Sequence, residues 1–255
     1  MIRSAKVTYS LLAINVAVFL IQMLYVSPLG GDILAYYGGL WPVTSNYFHV
    51  WQPFTYMFLH GNFEHLLFNM FSLWMFGRVI EQSLGTRRFI TFYLVCGLGA
   101  GLCQILWQLF IQEGACTVGA SGAIYGILLA FGMLYPNERI MLLIPPIPMK
   151  AKYFIGIFIV IELLFGIADF DNTAHFAHLG GMLFGFFLIQ YWKRAARRPR
   201  KPKNKYENWH TADYDYNIEK RQRQERIDAL LDKVRTSGYD SLTAEEKRDL
   251  FDFTR

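Results

Sequence analysis

The chain of 255 residues is 53% hydrophobic and only 18% charged, whereas about a quarter of residues in an ordinary soluble domain are charged. Mean hydropathy is +0.22, and the apolar residues fill long blocks between positions 10 and 192, which excludes disordered, collagen-like and disulfide-stapled classes and points to a multi-spanning membrane protein. The net charge of +5 does not imply nucleic acid as a partner, because the basic residues cluster beside the apolar blocks as topology signals.

A membrane span needs roughly 20 apolar residues, and six blocks qualify in chain order: Ser10–Val26, Phe63–Ile80, Phe89–Ile111, Ser121–Tyr135, Tyr153–Ile167 and Thr173–Trp192. The first is long for a signal-peptide core and no small-residue cleavage site follows it. Between it and the second block, Ser27–Asn62 is rich in aromatics (Trp41, Tyr47, Phe48, Trp51, Phe54, Tyr56) but broken by Pro28, Pro42 and Pro53. That composition suits a loop partly embedded in the outer leaflet. The fourth block has 15 residues, about 22 Å of helix against a hydrocarbon core of about 30 Å. Its helix is therefore expected to begin below the surface. Irregular backbone at that depth needs protein or a water-filled cavity to satisfy it, so a wet indentation is expected there.

Loops 27–62, 112–117 and 168–172 contain no Lys or Arg, and every basic cluster falls in the alternate connections. By the positive-inside rule both termini are cytoplasmic, and the short loops suggest a bacterial plasma membrane. The three cysteines (Cys96, Cys103, Cys116) lack metal-ligand spacing and read as buried apolar residues. Beyond Trp192 comes a basic linker. Ile227, Leu230, Leu231 and Val234 then recur at helical spacing within Ile218–Arg235, Gly238 suits a helix stop, and Thr243 with Glu246 forms a capping box for a second helix bearing Leu250 and Phe251. The expected division is a membrane domain over 1–195, a polar linker over 196–217, and a small cytoplasmic helical hairpin over 218–255.

Polar residues inside spans are costly and are functional candidates. Ser121 lies where a loop becomes a helix, between Gly119 and Gly122. It reads either as a nucleophile at a helix N-terminus or as part of a small-residue packing motif. His178 precedes Gly181 and Gly185, which share a small-residue stripe with Ala177. A histidine within reach of a serine supplies the base the serine needs, although a plain interhelical hydrogen bond would also account for it. His65 and Asn69 are four apart on one helix face. Both can donate hydrogen bonds to a developing oxyanion, or simply tie helices together. His60 precedes that helix. His175 and His178 could hold a metal, but no HExxH is present and no zinc site is expected.

Together these residues resemble the rhomboid family of intramembrane serine proteases. The likeness rests on His60-Gly61 with His65 and Asn69, on Gly119-Ala120-Ser121-Gly122 with Tyr125, and on Ala177-His178 with Gly181 and Gly185. It covers about residues 5 to 195. It implies a six-transmembrane-helix, all-α bundle that cleaves transmembrane segments of protein substrates within the lipid bilayer, without a cofactor or metal. By the same resemblance Ser121 is the nucleophile and His178 the general base of a dyad with no aspartate, and no acidic residue lies within the sixth span near His178. Tyr125 stacks on the imidazole, and His65, Asn69 and the Ser121 N–H hold the oxyanion. His60, Gly119, Gly122, Gly181 and Gly185 support them. One departure stands out: many relatives carry Trp-Arg in the first loop where this chain has Trp51-Gln52, which puts a loop-anchoring ion pair, for example to Glu81, in question. Two other classes are an inactive relative that binds spans without cutting and a small transporter using Glu162, Glu64 and the histidines. The first usually lacks the serine or the histidine, and the second usually shows repeats.

Overall fold

A computed structural model describes residues 5–26, 31–112, 115–141, 148–168, 174–197 and 210–253. The chain divides into two units, Met1–Arg197 and Arg198–Arg255. The first begins with α1 (Lys6–Leu24), followed by short α2 (Ile33–Gly38) and by α3 (Gln52–Thr55), which runs into a 3₁₀ turn at Tyr56–Phe58. Next comes α4 (Phe63–Ser72), continued through a π-helical turn (Leu73–Gly77) into α5 (Arg78–Leu84). Then come α6 (Thr86–Ile111), α7 (Ser121–Leu134), α8 (Ala151–Ala168) and α9 (His175–Arg197).

Each apolar block of the sequence is largely helical, and among the described residues α1 and α6 are long and apolar enough to cross a bilayer by length and composition, with α7 a shorter apolar helix. The second block is divided by its π turn, a wider coil that shifts the register of α5 relative to α4. The unit is all-α in class, with one short ribbon added between helices. Strands β1 (Arg139–Met141) and β2 (Pro148–Lys150) pair antiparallel between α7 and α8, with Ile140 opposite Met149. Ile140 is buried while its neighbours are exposed, the alternation of a strand with one covered face.

Two buried polar side chains hold the ends of this unit in place. The first turn of α1 has no side-chain cap of its own. Glu81 from α5 supplies one, its carboxylate accepting from the Val7 N–H at 3.0 Å and from the Thr8 N–H and Oγ1–H at 2.8 Å each. Free N–H groups and the positive end of the helix dipole both favour a carboxylate there. Glu81 thus serves α1, not the first loop. That loop is held by Gln52 instead, which is fully buried. Its amide donates to the Tyr47 carbonyl (2.7 Å) and the Tyr37 carbonyl (3.3 Å), and its oxygen accepts from the Trp41 N–H (3.3 Å). A neutral amide with both capacities ties three backbone groups where an ion pair was in question.

The centre of the unit is α7 packed against α6 and α9, and glycines set the spacing. A Cβ on Gly181 would overlap the Gly122 carbonyl, and one on Gly126 would lie 2.5 Å from Cys96 Sγ and 2.9 Å from the Gly181 carbonyl. Gly185 faces Gly126 Cα and Cys96, and a Cβ on Gly122 would strike Ala100 of α6. The two glycine grooves therefore face each other, as small residues permit between membrane helices.

The second unit is considered by itself. Here α10 (His210–Ser237) and α11 (Ala244–Phe253) are joined through a 3₁₀ turn at Tyr239–Ser241. Because α10 reaches back to His210, residues 210–217 of the expected linker are helical, and α9 takes up 196–197; residues 198–209 lie outside the described residues. Ile227, Leu230 and Leu242 are each buried. Gly238 takes φ +81°, a conformation glycine adopts without strain. At the start of α11, Glu246 Oε2 accepts from the Thr243 N–H at 2.7 Å and Thr243 Oγ1 from the Glu246 N–H at 3.3 Å, which closes a capping box. Lys233 lies 2.8 Å from the same carboxylate and, with the Thr243 N–H, holds the Glu246 carboxyl below its usual range.

The helix contact gives the first prediction. Gly181→Ala must push α9 off the Gly122 carbonyl, a backbone atom that cannot swing aside. Overpacking of this kind typically costs about 1–3 kcal/mol, so the detergent-solubilised protein should melt several degrees earlier. Gly156 has open space where its Cβ would be, and Gly156→Ala should melt no earlier than the parent. Equal melting temperatures for the parent and Gly181→Ala would refute the contact.

Candidate active site

Four helices and one loop bring the polar residues together. Ser121 is the first residue of α7, so its backbone N–H belongs to the set of first-turn donors without partners inside the helix. The loop before it is fastened to the first loop by backbone hydrogen bonds: Leu40 and Thr117 exchange N–H and carbonyl at 2.8 and 2.9 Å, and the Gly119 N–H reaches the Tyr56 carbonyl at 2.9 Å. Tyr56 is itself pinned, its hydroxyl donating to the Gly97 carbonyl of α6 at 2.6 Å. The serine is thus presented from an irregular segment whose backbone is paired.

His178 projects from α9 with Nε2 2.8 Å from Ser121 Oγ. Tyr125, four residues beyond the serine on α7, stacks on the imidazole at a centroid distance of 4.1 Å and an angle of 6°. Phe158 of α8 tilts against Tyr125 at 6.1 Å. The sequence motifs do not connect the imidazole with the group behind it. Glu162 of α8, only 4% exposed, places Oε2 2.9 Å from His178 Nδ1 and 2.7 Å from His175 Nδ1. The resemblance implies a dyad without an aspartate, and the residue that reaches His178 Nδ1 is a glutamate. No acid lies on the helix that carries His178, but one arrives from the adjacent helix. The only signal is a single carboxylate inside the apolar block Tyr153–Ile167, and no spacing rule connects it to His178 across the intervening loop.

On the opposite wall, Asn62 caps α4 by accepting the His65 N–H at 2.8 Å, and α4 then carries both His65 and Asn69. Asn69 is 7% exposed, and its Nδ2 is buried without a hydrogen-bond partner among the described residues. A buried donor left unpaired is costly unless something reaches it. The His65 ring packs on Gly119: a Cβ there would lie 2.8 Å from Cε1 and Nε2 of His65 and 3.4 Å from Ser121 Oγ. Gly119 has φ +134°, so the close approach and the backbone both call for glycine. His60 stands behind His65, ring centroids 5.2 Å apart. It is held through its backbone, its N–H donating to Gln22 Oε1 at 3.0 Å and its carbonyl accepting from Gln22 Nε2 at 3.1 Å. Gly122, Gly181 and Gly185 lie in the helix contact beneath the serine.

These groups line a cavity of about 900 Å³ that includes His65, Asn69, Ser121, Tyr125, His175 and His178, with Gln104 and Gln108 adding polar surface. A cavity at the start of the short fourth helix is in keeping with the indentation expected there. A serine hydroxyl in hydrogen-bond reach of an imidazole nitrogen, with donors across the cavity, is an arrangement that can perform acyl transfer. A metal is the other possibility for Glu162, His175 and His178, whose ligand atoms lie within 4.8 Å of one another. Ligands bound at about 2.0–2.1 Å around a tetrahedral zinc stand about 3.3 Å apart. The observed 2.7 and 2.9 Å separations are those of hydrogen bonds sharing one oxygen.

Residues 47–194 match the Rhomboid domain family, and residues 210–255 match a family of unknown function. The chain is 34% identical to RHOMBOID-like protein 2 of Arabidopsis thaliana over 61% of this chain and 49% of that protein. It is 30% identical to the mitochondrial Rhomboid protein 1 of Saccharomyces cerevisiae over 77% of this chain and 56% of the relative. Rhomboid protease GluP of Bacillus subtilis is 33% identical over 54% of this chain and 25% of its own length. The chain thus spans about half or less of these relatives. They come from a plant, a mitochondrion and a bacterium, so the likeness selects no particular host membrane.

The site generates a second prediction. Gly119→Ala forces a side chain into a left-handed backbone position, a strain of order ~1–3 kcal/mol, and into the His65 ring. The rate at which Ser121 reacts with a fluorophosphonate should fall at least tenfold while α7 and α9 stay packed. An unchanged labelling rate would mean that Gly119 and His65 do not set the environment of Ser121.

Proposed function

The chain belongs to the rhomboid family, and on that premise we propose that it is an active serine endopeptidase that cleaves transmembrane segments of other proteins. It is an integral membrane protein. The proposed arrangement is six spans, made by α1, the α4–α5 rod, α6, α7, α8 and α9, with both termini on the cytoplasmic side where the basic clusters lie. The observation that most supports the activity is the 2.8 Å contact between His178 Nε2 and Ser121 Oγ inside a polar cavity.

Ser121 Oγ attacks the scissile carbonyl carbon as His178 Nε2 takes the hydroxyl proton. The carbonyl oxygen becomes an oxyanion facing the Ser121 N–H, Asn69 Nδ2 and His65. His178 then delivers its proton to the leaving amine, and the acyl-serine ester remains. Water entering from the cavity gives a proton to His178 and hydrolyses the ester, restoring both side chains. Within this reading, the stacked Tyr125 keeps the ring plane fixed while the charge on the imidazole changes. No sequence preference for the substrate follows from these residues.

The test is cleavage of a generic transmembrane substrate in proteoliposomes. Ser121→Ala and His178→Ala should each abolish cleavage, and the double variant should lose no more than either, because the pair acts as a unit. Removal of one oxyanion donor typically costs about 100- to 1,000-fold, so Asn69→Ala should retain a measurable remnant. Cleavage by folded Ser121→Ala protein at the parent rate would end the reading.

A further inference from the structure

We propose that Glu162 is a positioning residue for this reaction, so that the site works as a serine–histidine–glutamate array with His175 as a fourth member. The inference rests on the proposed function for its chemistry and on independent geometry for its parts. Glu162 is 4% exposed and lies in the middle of α8 among apolar neighbours. A carboxylate in such a place persists only where donors satisfy it. Here His178 Nδ1 approaches at 2.9 Å and His175 Nδ1 at 2.7 Å, both at Oε2.

An ionised carboxylate can only accept hydrogen bonds. Each imidazole in contact with it must therefore carry its proton on Nδ1. For neutral His178, that places the lone pair on Nε2, the atom 2.8 Å from Ser121 Oγ. The carboxylate thus selects the one tautomer that can accept the serine proton. When His178 becomes an imidazolium, its positive charge arises beside a buried negative one, and the same contact stabilises it. No covalent bond forms at Glu162 and no proton leaves for it; it orients and compensates. His175 donates to the same oxygen from one turn earlier on α9 and fixes the direction in which Oε2 points. Stacking by Tyr125 restrains the plane of the His178 ring but cannot choose between its nitrogens, so the two restraints are complementary.

The experiment compares the parent with Glu162→Gln and Glu162→Asp, each expressed per mole of folded, monodisperse protein so that losses in folding drop out of the ratio. Glutamine keeps the shape, but it removes the charge, and its amide can donate to Nδ1 and favour the wrong tautomer. Glu162→Gln should lower kcat by about 100- to 10,000-fold, the scale seen when the acid of a serine protease triad is neutralised, with KM within about threefold. The rate of Ser121 labelling by a fluorophosphonate should fall in parallel. Glu162→Asp restores the charge and should recover at least tenfold over Glu162→Gln in both measurements. A purely structural role would shift melting temperature or KM and leave kcat per folded molecule unchanged. That result, or parent-like labelling in Glu162→Gln, would overturn the proposal. Labelling needs no peptide substrate, so it still reads Glu162 if the parent fails to cleave. Conversely, a parent that cleaves alongside an unaffected Glu162→Gln retires only the role of Glu162.

Discussion

The close approach of α7 and α9 governs everything else in the membrane unit. Gly181 rests on the Gly122 carbonyl with no room for a methyl group between them. Ser121 precedes that contact by one residue and His178 precedes it by three, so both side chains are placed by a backbone-to-backbone distance. Packing of this kind has few soft degrees of freedom, because neither partner has a rotamer to change. The hydrogen bond between the two side chains inherits that stiffness. A site assembled from long side chains would have to lose conformational entropy to reach the same geometry.

The polar groups obey a related rule. Glu81, Gln52 and Glu162 are all buried, and each is paired with more than one partner group. Glu81 closes the start of α1, Gln52 gathers three backbone groups of the first loop, and Glu162 binds two histidines. In an apolar surrounding the cost of leaving any of them unpaired is large, so each acts as a fastener between segments that hydrophobic contact alone would leave free to slide. Asn69 Nδ2 is among the buried polar atoms left without a partner within the described residues, and Asn69 lines the cavity.

Much of the architecture is legible in the sequence because its signals are local. Apolar blocks of the right length, a serine at a loop-to-helix junction, and glycines four apart can each be read within a window of a few residues. The illegible part depends on which helices lie side by side. Glu162 and His178 meet only because α8 is adjacent to α9, and no periodicity encodes that pairing. In sequence, Gln52 in place of arginine reads as the loss of an anchor. Gln52 is in fact an anchor of another kind, because an amide both donates and accepts where a guanidinium only donates. The β1–β2 ribbon is hidden for a similar reason. Each strand has three residues, too few for alternation to stand out in a basic, proline-containing connection. The start of α10 is equally hard to read, because a helix with little apolar periodicity, such as residues 210–217, resembles a linker.

The seating of Cys96 has a practical consequence. Its sulfur lies against Gly126 and Gly185, between three helices, and the residue has no accessible surface, while Cys103 and Cys116 are partly exposed. An alkylating reagent can reach the first thiol only after the helices part, so its modification clock runs at the pace of bundle opening. The molecule therefore carries a native gauge of its own integrity within the bilayer, readable by mass and free of any added label.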